Sequence, residues 1–410
     1  METRNFINGK FINTISKKNI PVLNPANQKI VGNIDEALDD EIDLAFKAAK
    51  NAFDKRILLD MDAKKKSKLM RSMASKLREY KDEGASILSR ENGKTIEQCK
   101  GEFLGAANTY DYYAGLTDKI ENKMIPSGAD TFNYVVLEPF GVTLQIVPWN
   151  YPVAIFAAMT AQNLIVGNTM VIKPPELCPI SSNFFGKIFE EIGLPNGVIN
   201  IVHGYGEVTG RKLVKHNDVD YIVFTGSPEV ASEILHETAD RIIPTHFELG
   251  GKSAAIIYPD ADIDQAVEST VNGVFKPNAG QICVAMSRVI VHPKIKDEYM
   301  SKLVDKAKKL KIGPGNDINT EVTPLISTNQ IQRVSNYCKS GVQSGATLTL
   351  GGEPTENNEG NFFQPTIFDN VDTNATIAQE EIFGPVTTIF DFNNEEEAIK
   401  IANSTNYGLA

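Results

Sequence analysis

The sequence is poor in cysteine, in long apolar runs and in excess positive charge, and each shortage excludes something. Four cysteines in 410 residues, Cys99, Cys178, Cys283 and Cys338, stand without C-x-x-C spacing. That spacing excludes a disulfide framework and argues against a zinc site, so no metal is expected and the reducing cytoplasm is the expected location. Lys and Arg number 41 against 52 Asp and Glu, a formal charge of -11. With no basic patch carrying interleaved aromatics, nucleic acid is not an expected partner. The opening METRNFINGKFIN lacks the continuous apolar core of an export signal. Between Glu138 and Lys173 no residue is charged, yet Pro148 and Pro152 break that stretch. Its apolar runs fall short of the roughly 20 residues a bilayer needs, so burial in an α/β domain is expected and a membrane is not. Neither low-complexity tracts nor internal repeats occur. What is present is an ordinary globular composition, 42% hydrophobic and 23% charged, with apolar surface enough for two or three domains.

From Gly141 onward, β-branched runs alternate with segments of helical apolar spacing. The spacing predicts strands in GVTLQIV, TMVIK, GVINIV, DYIVFTG and THFEL. It predicts helices in VAIFAAMTAQNLIVG, SSNFFGKIFEEIG, GEVTGRKLVKHN and PEVASEILHETA. Strands joined by helical crossovers build most simply into a parallel sheet covered on both faces. At Gly250-Gly251 a second run of strands and helices begins, so the doublet is the expected boundary of a second α/β unit. Ahead of the first sheet, residues 40–115 read as helical, and FINGKFIN with PVLNPANQKIVGNI read as strands of a small leading sheet. FNYVVLEPF alternates like an exposed strand and suits an arm that reaches a second subunit.

Chemistry is sought first at Cys283, in NAGQICVAMSR, between a glycine-bearing loop and the strand SRVIVHP. A lone cysteine is most often a small core hydrophobe. A reactive one needs a lowered pKa or a base, a place for negative charge to develop, and usually a second reagent. Glu248, at a strand end before two glycines, has the carboxylate of a base and equally suits a solvated strand end. Asn150, held between prolines in PWNYP, can aim an amide N–H at an oxyanion or make a plain turn. For a nucleotide, HGYGEVTG offers Gly204 and Gly206, but Gly210 comes one place late for G-x-G-x-x-G. In FTGSPEV, Ser227 can cap a helix with Pro228 at its first position, leaving N–H groups for an anion; capping alone explains it as well. Lys173 and Glu176 follow another strand end and suit a ribose or a solvated charge pair.

Taken together, PWNYP, GNTMVIKPPE, FTGS, FELGGKS, NAGQICVAMSR and QEEIFGPV resemble, in this order and at these intervals, the motifs of the NAD(P)-dependent aldehyde dehydrogenase superfamily. The resemblance covers essentially the whole chain. It implies an α/β protein with a Rossmann-like parallel-sheet NAD-binding domain over 1–120 and 140–249. An oligomerisation β-arm over 121–139 and a second α/β catalytic domain over 250–410 complete it, assembled as a homodimer or homotetramer. By motif, Cys283 is the implied nucleophile, Asn150 with the Cys283 backbone N–H the oxyanion hole, and Glu248 the general base. Lys173 and Glu176 would contact the adenine-side ribose, and Trp149 and Ser227 the pyrophosphate, with Gly206 in the same cofactor site. Glu381 and Phe383 would hold the nicotinamide ribose and ring. NAD is the expected cofactor, with NADP possible. The implied reaction is thiolate attack on the aldehyde, hydride loss, and hydrolysis of the resulting thioester.

This chain departs from the family pattern in two places. Ala231 stands where the helix after FTGS usually has glycine, a change that tightens the helix against the pyrophosphate. The sequence also stops at NYGLA, where relatives continue for many tens of residues, so a truncated sequence or a disordered tail is expected. A CoA-acylating semialdehyde dehydrogenase is the nearest alternative; Glu248 speaks against it. A cofactor-free cysteine hydrolase would need a histidine base, and His246, close to Glu248, is not placed beside Cys283 by anything in the sequence. A catalytically impaired binding homologue is the third alternative. For the substrate, the helix after PWNYP implies Tyr151, Ile155, Ala158 and Met159 as tunnel walls. It carries no Lys or Arg to pair a distal carboxylate, which favours a neutral aliphatic or small hydroxy-aldehyde.

Overall fold

The β-branched runs become strands and the amphipathic runs become their crossovers. A computed structural model describes residues 2–13, 19–356 and 359–410. By its internal contacts the chain divides into two units, one of residues 1–22, 32–87 and 100–248, the other of residues 23–31, 88–99 and 249–410.

The first unit is built on a seven-stranded sheet. Thr245–Glu248, Tyr221–Thr225, Val142–Ile146, Thr169–Lys173 and Ile199–Ile201 lie side by side in that order, all parallel. Thr169–Lys173 is buried at every residue, and Val142–Ile146 at all but its last. A strand covered on both faces has no solvent side, so even the polar members of these runs, Thr143, Gln145, Thr169 and Lys173, are buried. The crossover helices Pro152–Val166, Ile180–Glu191 and Pro228–Thr238 match the apolar spacing. GEVTGRKLVKHN instead splits into a π-helical turn, Gly206–Gly210, and a short α-helix, Arg211–Lys215. The leading strands also divide. Phe6–Ile7 pairs antiparallel with Ile199–Ile201 and, with Lys10–Phe11, closes the edge of the main sheet; Asn19–Leu23 and Ile30–Asp35 join Glu2–Thr3 in a separate sheet. Within FNYVVLEPF only Asn133–Val135 is strand, paired as a hairpin with Lys123–Ile125 and exposed throughout.

The second unit has a five-stranded sheet in the order Ala254–Ile257, Arg288–Val291, Val386–Asp391, Thr366–Asp369, Thr347–Leu350, the first four parallel and the last antiparallel. Its core packs Val289, Ile290, Ile367, Phe368, Ile389 and Phe390 against Val271, Phe275, Tyr299 and Leu303. Burying aliphatic and aromatic side chains contributes roughly 1.5–3 kcal/mol each, which fixes the strand ends from which the site loops depart.

Candidate active site

The first unit gathers its candidates at the carboxyl edge of the parallel strands. Strand order reverses at Val142–Ile146, because the chain builds outward through Thr169–Lys173 and Ile199–Ile201 before returning to the other side with Tyr221–Thr225. Open α/β sheets take ligands in the crevice at such a reversal. Trp149 and Asn150 follow one of the two strands that flank it, and Gly226 and Ser227 follow the other.

Asn150 is nearly buried, and its Oδ1 accepts the backbone N–H of Tyr151 at 3.0 Å. Directly after it, the buried Glu102 accepts the backbone N–H groups of Val153 and Ala154 at 2.8 and 3.0 Å. A carboxylate there satisfies two orphan donors of the Pro152–Val166 helix and complements its dipole, so the turn carrying Asn150 is pinned from both sides. Tyr151, Ile155 and Ala158, spaced i, i+4 and i+7, share a partly exposed face, whereas Met159 is buried.

The Lys173 Nζ donates to Glu176 Oε2 at 2.9 Å and to the Pro174 carbonyl at 3.1 Å. Burial works to raise the Glu176 pKa, but the charge and hydrogen bond of Lys173, together with the backbone N–H groups of Glu176 and Gly206, hold the carboxyl below its ordinary value. Glu176 is therefore an anion ready to accept hydroxyl donors. Nothing among the described residues lies within 4 Å of where a Gly206 side chain would begin. Ser227 caps the Pro228–Thr238 helix, its Oγ accepting from the Val230 N–H at 3.4 Å, with Ala231 buried in the first turn. Glu248 ends the edge strand. Its carbonyl accepts the Gly226 N–H at 3.0 Å, and its half-exposed carboxylate lies 3.1 Å from His246 Nε2.

In the second unit three loops precede three adjacent strands: Gly250–Ser253, Gln281–Ser287 and Glu380–Pro385. Cys283 sits partly exposed on the middle one, and none of the four cysteines is in a disulfide. The approach to it is tight. Asn278 and Ala279 adopt φ of 47° and 51°, and Gly280, at φ +74°, leaves no room for a side chain, because a Cβ would lie 2.2 Å from the Gly384 carbonyl oxygen. Fully buried Gln281 donates to the Asn278 carbonyl at 2.9 Å and accepts the Ile326 N–H at 2.9 Å. Gly250 and Gly251 then bring two partners to one backbone segment. A Cβ at Gly250 would meet Glu381 Oε2 at 2.3 Å, one at Gly251 would meet the Cys283 carbonyl oxygen at 2.4 Å, and the Gly251 N–H donates to Glu381 Oε1 at 3.1 Å. Phe383, at φ +60°, is held by Gln330 Nε2 donating to its carbonyl at 2.7 Å.

The aldehyde dehydrogenase family model matches residues 11–410. The chain belongs to the aldehyde dehydrogenase family. Oxidation of aldehydes with NAD(P) as hydride acceptor is the activity that membership carries. The mitochondrial aldehyde dehydrogenase of Leishmania tarentolae is 39% identical over 98% of this chain and 81% of its own length, and the betaine aldehyde dehydrogenase of Bacillus subtilis (strain 168) 38% identical over 99% and 83%. An NAD+ complex of aldehyde dehydrogenase from Bacillus cereus matches the fold with a TM-score of 0.97 at 38% identity, covering 100% of this chain and 83% of that one. Among the described residues of this aldehyde dehydrogenase, no helix is long and apolar enough to cross a membrane and no cluster of His, Cys, Asp and Glu could hold a metal.

Sequence reasoning passed over two residues that shape this site. Glu102 lies in the stretch that read only as helical, and nothing local marks it as the cap of a helix fifty positions away. Lys252 follows the glycine doublet and is 1% exposed. The doublet was a usable signal for it, since two glycines announce close backbone approach and the residue after them is carried into the same crowded ground.

Proposed function

We propose that this enzyme oxidises a neutral aliphatic or small hydroxy-aldehyde to its carboxylic acid through covalent intermediates on Cys283, with NAD as the preferred hydride acceptor and water as the final acyl acceptor. The observation that carries the reading is the Gly250-Gly251 backbone, packed against the Cys283 carbonyl and the Glu381 carboxylate together. A nucleophile loop and a ribose-binding carboxylate held by one segment are what covalent oxidation beside a dinucleotide requires. The donor set of the first unit suits NAD as well: a helix N-terminus at Ser227 for the pyrophosphate, open space at Gly206, Trp149 at the strand reversal, and the Lys173–Glu176 pair for the ribose hydroxyls. Glu381 and Phe383 take the nicotinamide ribose and ring.

In this reading the Cys283 thiolate attacks the aldehyde carbon. The oxygen that becomes negative accepts hydrogen bonds from the Asn150 amide and the Cys283 backbone N–H. NAD held by Glu176, Ser227, Glu381 and Phe383 would supply the acceptor for the hydride lost on the way from thiohemiacetal to thioester. Glu248 then draws a proton from water, which attacks the thioester carbon and releases the acid and the thiol. A base in that position favours hydrolysis over transfer to CoA. Tyr151, Ile155, Ala158 and Met159 wall the aldehyde path on a helix without Lys or Arg, so a distal carboxylate finds no partner there. A betaine aldehyde dehydrogenase from Staphylococcus aureus, 36% identical, has been solved with NAD+ and a BME-modified cysteine, which supports a reactive thiol in this family.

Residues 121–139 are proposed as the arm of a homodimer or homotetramer, a reading supported by Met124, Phe132, Tyr134 and Leu137, all more than half exposed. Four cysteines outside any disulfide favour the cytoplasm.

Two variants test the chemistry. Cys283→Ala is expected to abolish NADH formation while NAD still binds, and Glu248→Gln to give one burst of NADH followed by arrest. Turnover in the first variant, or an undiminished steady state in the second, overturns the assignment. A substrate panel of butanal, lactaldehyde and succinate semialdehyde tests the path; a strong preference for the semialdehyde refutes the neutral-substrate reading.

A further inference from the structure

The turn that carries Glu381 is anchored by many groups of the second unit, and all but one of the charged or hydroxyl-bearing side chains among them reach solvent. Arg333 donates to the Glu381 carbonyl at 2.9 Å, the Tyr337 hydroxyl donates to Glu380 Oε2 at 2.8 Å, and the Tyr407 hydroxyl accepts the Glu381 N–H at 3.4 Å. The exception is Lys252. It is 1% exposed, and its Nζ donates to the Glu380 carbonyl at 2.5 Å. Its own carbonyl accepts from Arg288 Nε at 2.8 Å, and the remaining nitrogens of Arg288 donate to the carbonyls of Ile401 and Ala402, each at 2.8 Å. The segment bearing Lys252 is thus fastened to the sheet, while its ammonium reaches into the turn. Burial first, and then the charge of Arg288, push the Lys252 pKa down to about 7, against the pull of Glu381 and Glu380. A lysine is rarely buried to this degree without a specific task for its N–H groups. Surface salt bridges cannot be that task, because the partner is a backbone carbonyl.

We propose that Lys252 is a positioning residue for the cofactor: its Nζ, fixed on the Glu380 carbonyl, holds the Glu380–Phe383 turn against the Gly250-Gly251 backbone, so that the Glu381 carboxylate is presented to the nicotinamide ribose in one orientation. The proposal rests on the reading of Glu381 as a ribose ligand. Lys252 touches no reacting atom. Removing its donor leaves the Glu380 carbonyl without that partner and frees the turn to swing Glu381 away from the Gly251 N–H.

The test is a double-mutant cycle on the full-length enzyme with Lys252→Met, Glu381→Gln and the pair, read as the KM for NAD, kcat, and the iodoacetamide labelling rate of Cys283. Lys252→Met is expected to raise the KM for NAD about tenfold, the scale of one hydrogen bond to a charged group. Thiol labelling should stay within about twofold, which a general loosening of the unit would not allow. The pair should be no worse than Glu381→Gln alone. Where Lys252→Met does not accumulate folded, Lys252→Gln carries the same comparison, since it keeps an N–H donor at shorter reach, and a KM for NAD between the two extremes is expected. If Glu381→Gln raises that KM but neither Lys252 variant does, or if the two effects multiply, the positioning role is overturned and the ribose reading stands. If Glu381→Gln leaves the KM unchanged, the ribose reading fails and the inference falls with it.

Discussion

Gly251→Ala perturbs the loop bearing Cys283 directly. The new Cβ would lie 2.4 Å from the Cys283 carbonyl oxygen and 2.8 Å from the Leu409 carbonyl oxygen, where ordinary contact begins at 3.4 Å. The nearer overlap is therefore about 1 Å deep, and both obstacles are backbone atoms that no rotamer change can move aside. Either the loop stays and the unit absorbs overpacking strain of about 1–3 kcal/mol, or the loop moves and takes Cys283 with it. A displacement near 1 Å at a reacting atom costs on the order of 100-fold in rate. Since Gln281 and the left-handed Asn278 and Ala279 fix the start of the loop, the displacement falls on the residues around Cys283. The assay pairs kcat for aldehyde oxidation at saturating NAD with a thermal melt. A loss of about 100-fold in kcat with a small drop in melting temperature is expected. A variant within twofold of the parent in kcat, with an unchanged melt, would refute the claim that Gly251 sets the position of Cys283.

Three further outcomes are expected. Gly105→Ala, in the exposed middle of the Ile96–Ala114 helix with nothing within 4 Å of the new Cβ, should stabilise by roughly 0.5–1 kcal/mol in urea unfolding; destabilisation would contradict the open site. NAD should exceed NADP in kcat/KM by about tenfold or more, because Glu176 repels a 2'-phosphate, and equal values would count against Glu176 as the ribose ligand. Fully buried His203, with Nε2 at 3.0 Å from Asn183 Oδ1, has its pKa pushed down to about 3 by burial and then by the charge of Lys173. The unfolded chain takes up a proton near pH 6.5 that the folded one refuses, so stability present above pH 6.5 is lost as pH falls towards 3. By pH 4.5 the loss from this group is about 2–3 kcal/mol, and urea midpoints that fall equally in the parent and in His203→Gln would show it to be wrong.

Local pattern carried most of the scaffold. TMVIK and GVTLQIV were legible because their β-branched residues, Val142, Thr143, Ile146, Thr169, Val171 and Ile172, favour extended backbone. Ser227, Pro228 and the cap they make were legible because capping is a local matter of one side chain and one helix turn. Pairings between distant segments were not. Nothing in FINGKFIN states that Phe6 will lie opposite Ile201 at the edge of the main sheet, since the strand is two residues long and its partner is chosen by tertiary packing. The π-turn at Gly206–Gly210 was hidden for a related reason: its residues keep helical spacing, and only the surrounding structure widens the turn. At the candidate site, the motifs drew attention to Cys283, Glu248 and Asn150 through residue type and order, whereas the burial of Lys252 was not legible because a lysine's ordinary place is in water.

The central strand pairing of the second unit also bears on how the enzyme comes into being. Arg288 lies opposite Thr388, a hundred positions later, and Ala254 opposite Arg288. As the polypeptide leaves the ribosome, the loop bearing Cys283 emerges well before the strand that must flank it and the Glu381 turn that precedes that strand. Contacts of such long separation form slowly, and incomplete sheets expose open edges. The thiol is therefore synthesised before the strand and the turn that come to flank its loop, so a nascent or stalled chain carries that cysteine on an incomplete sheet.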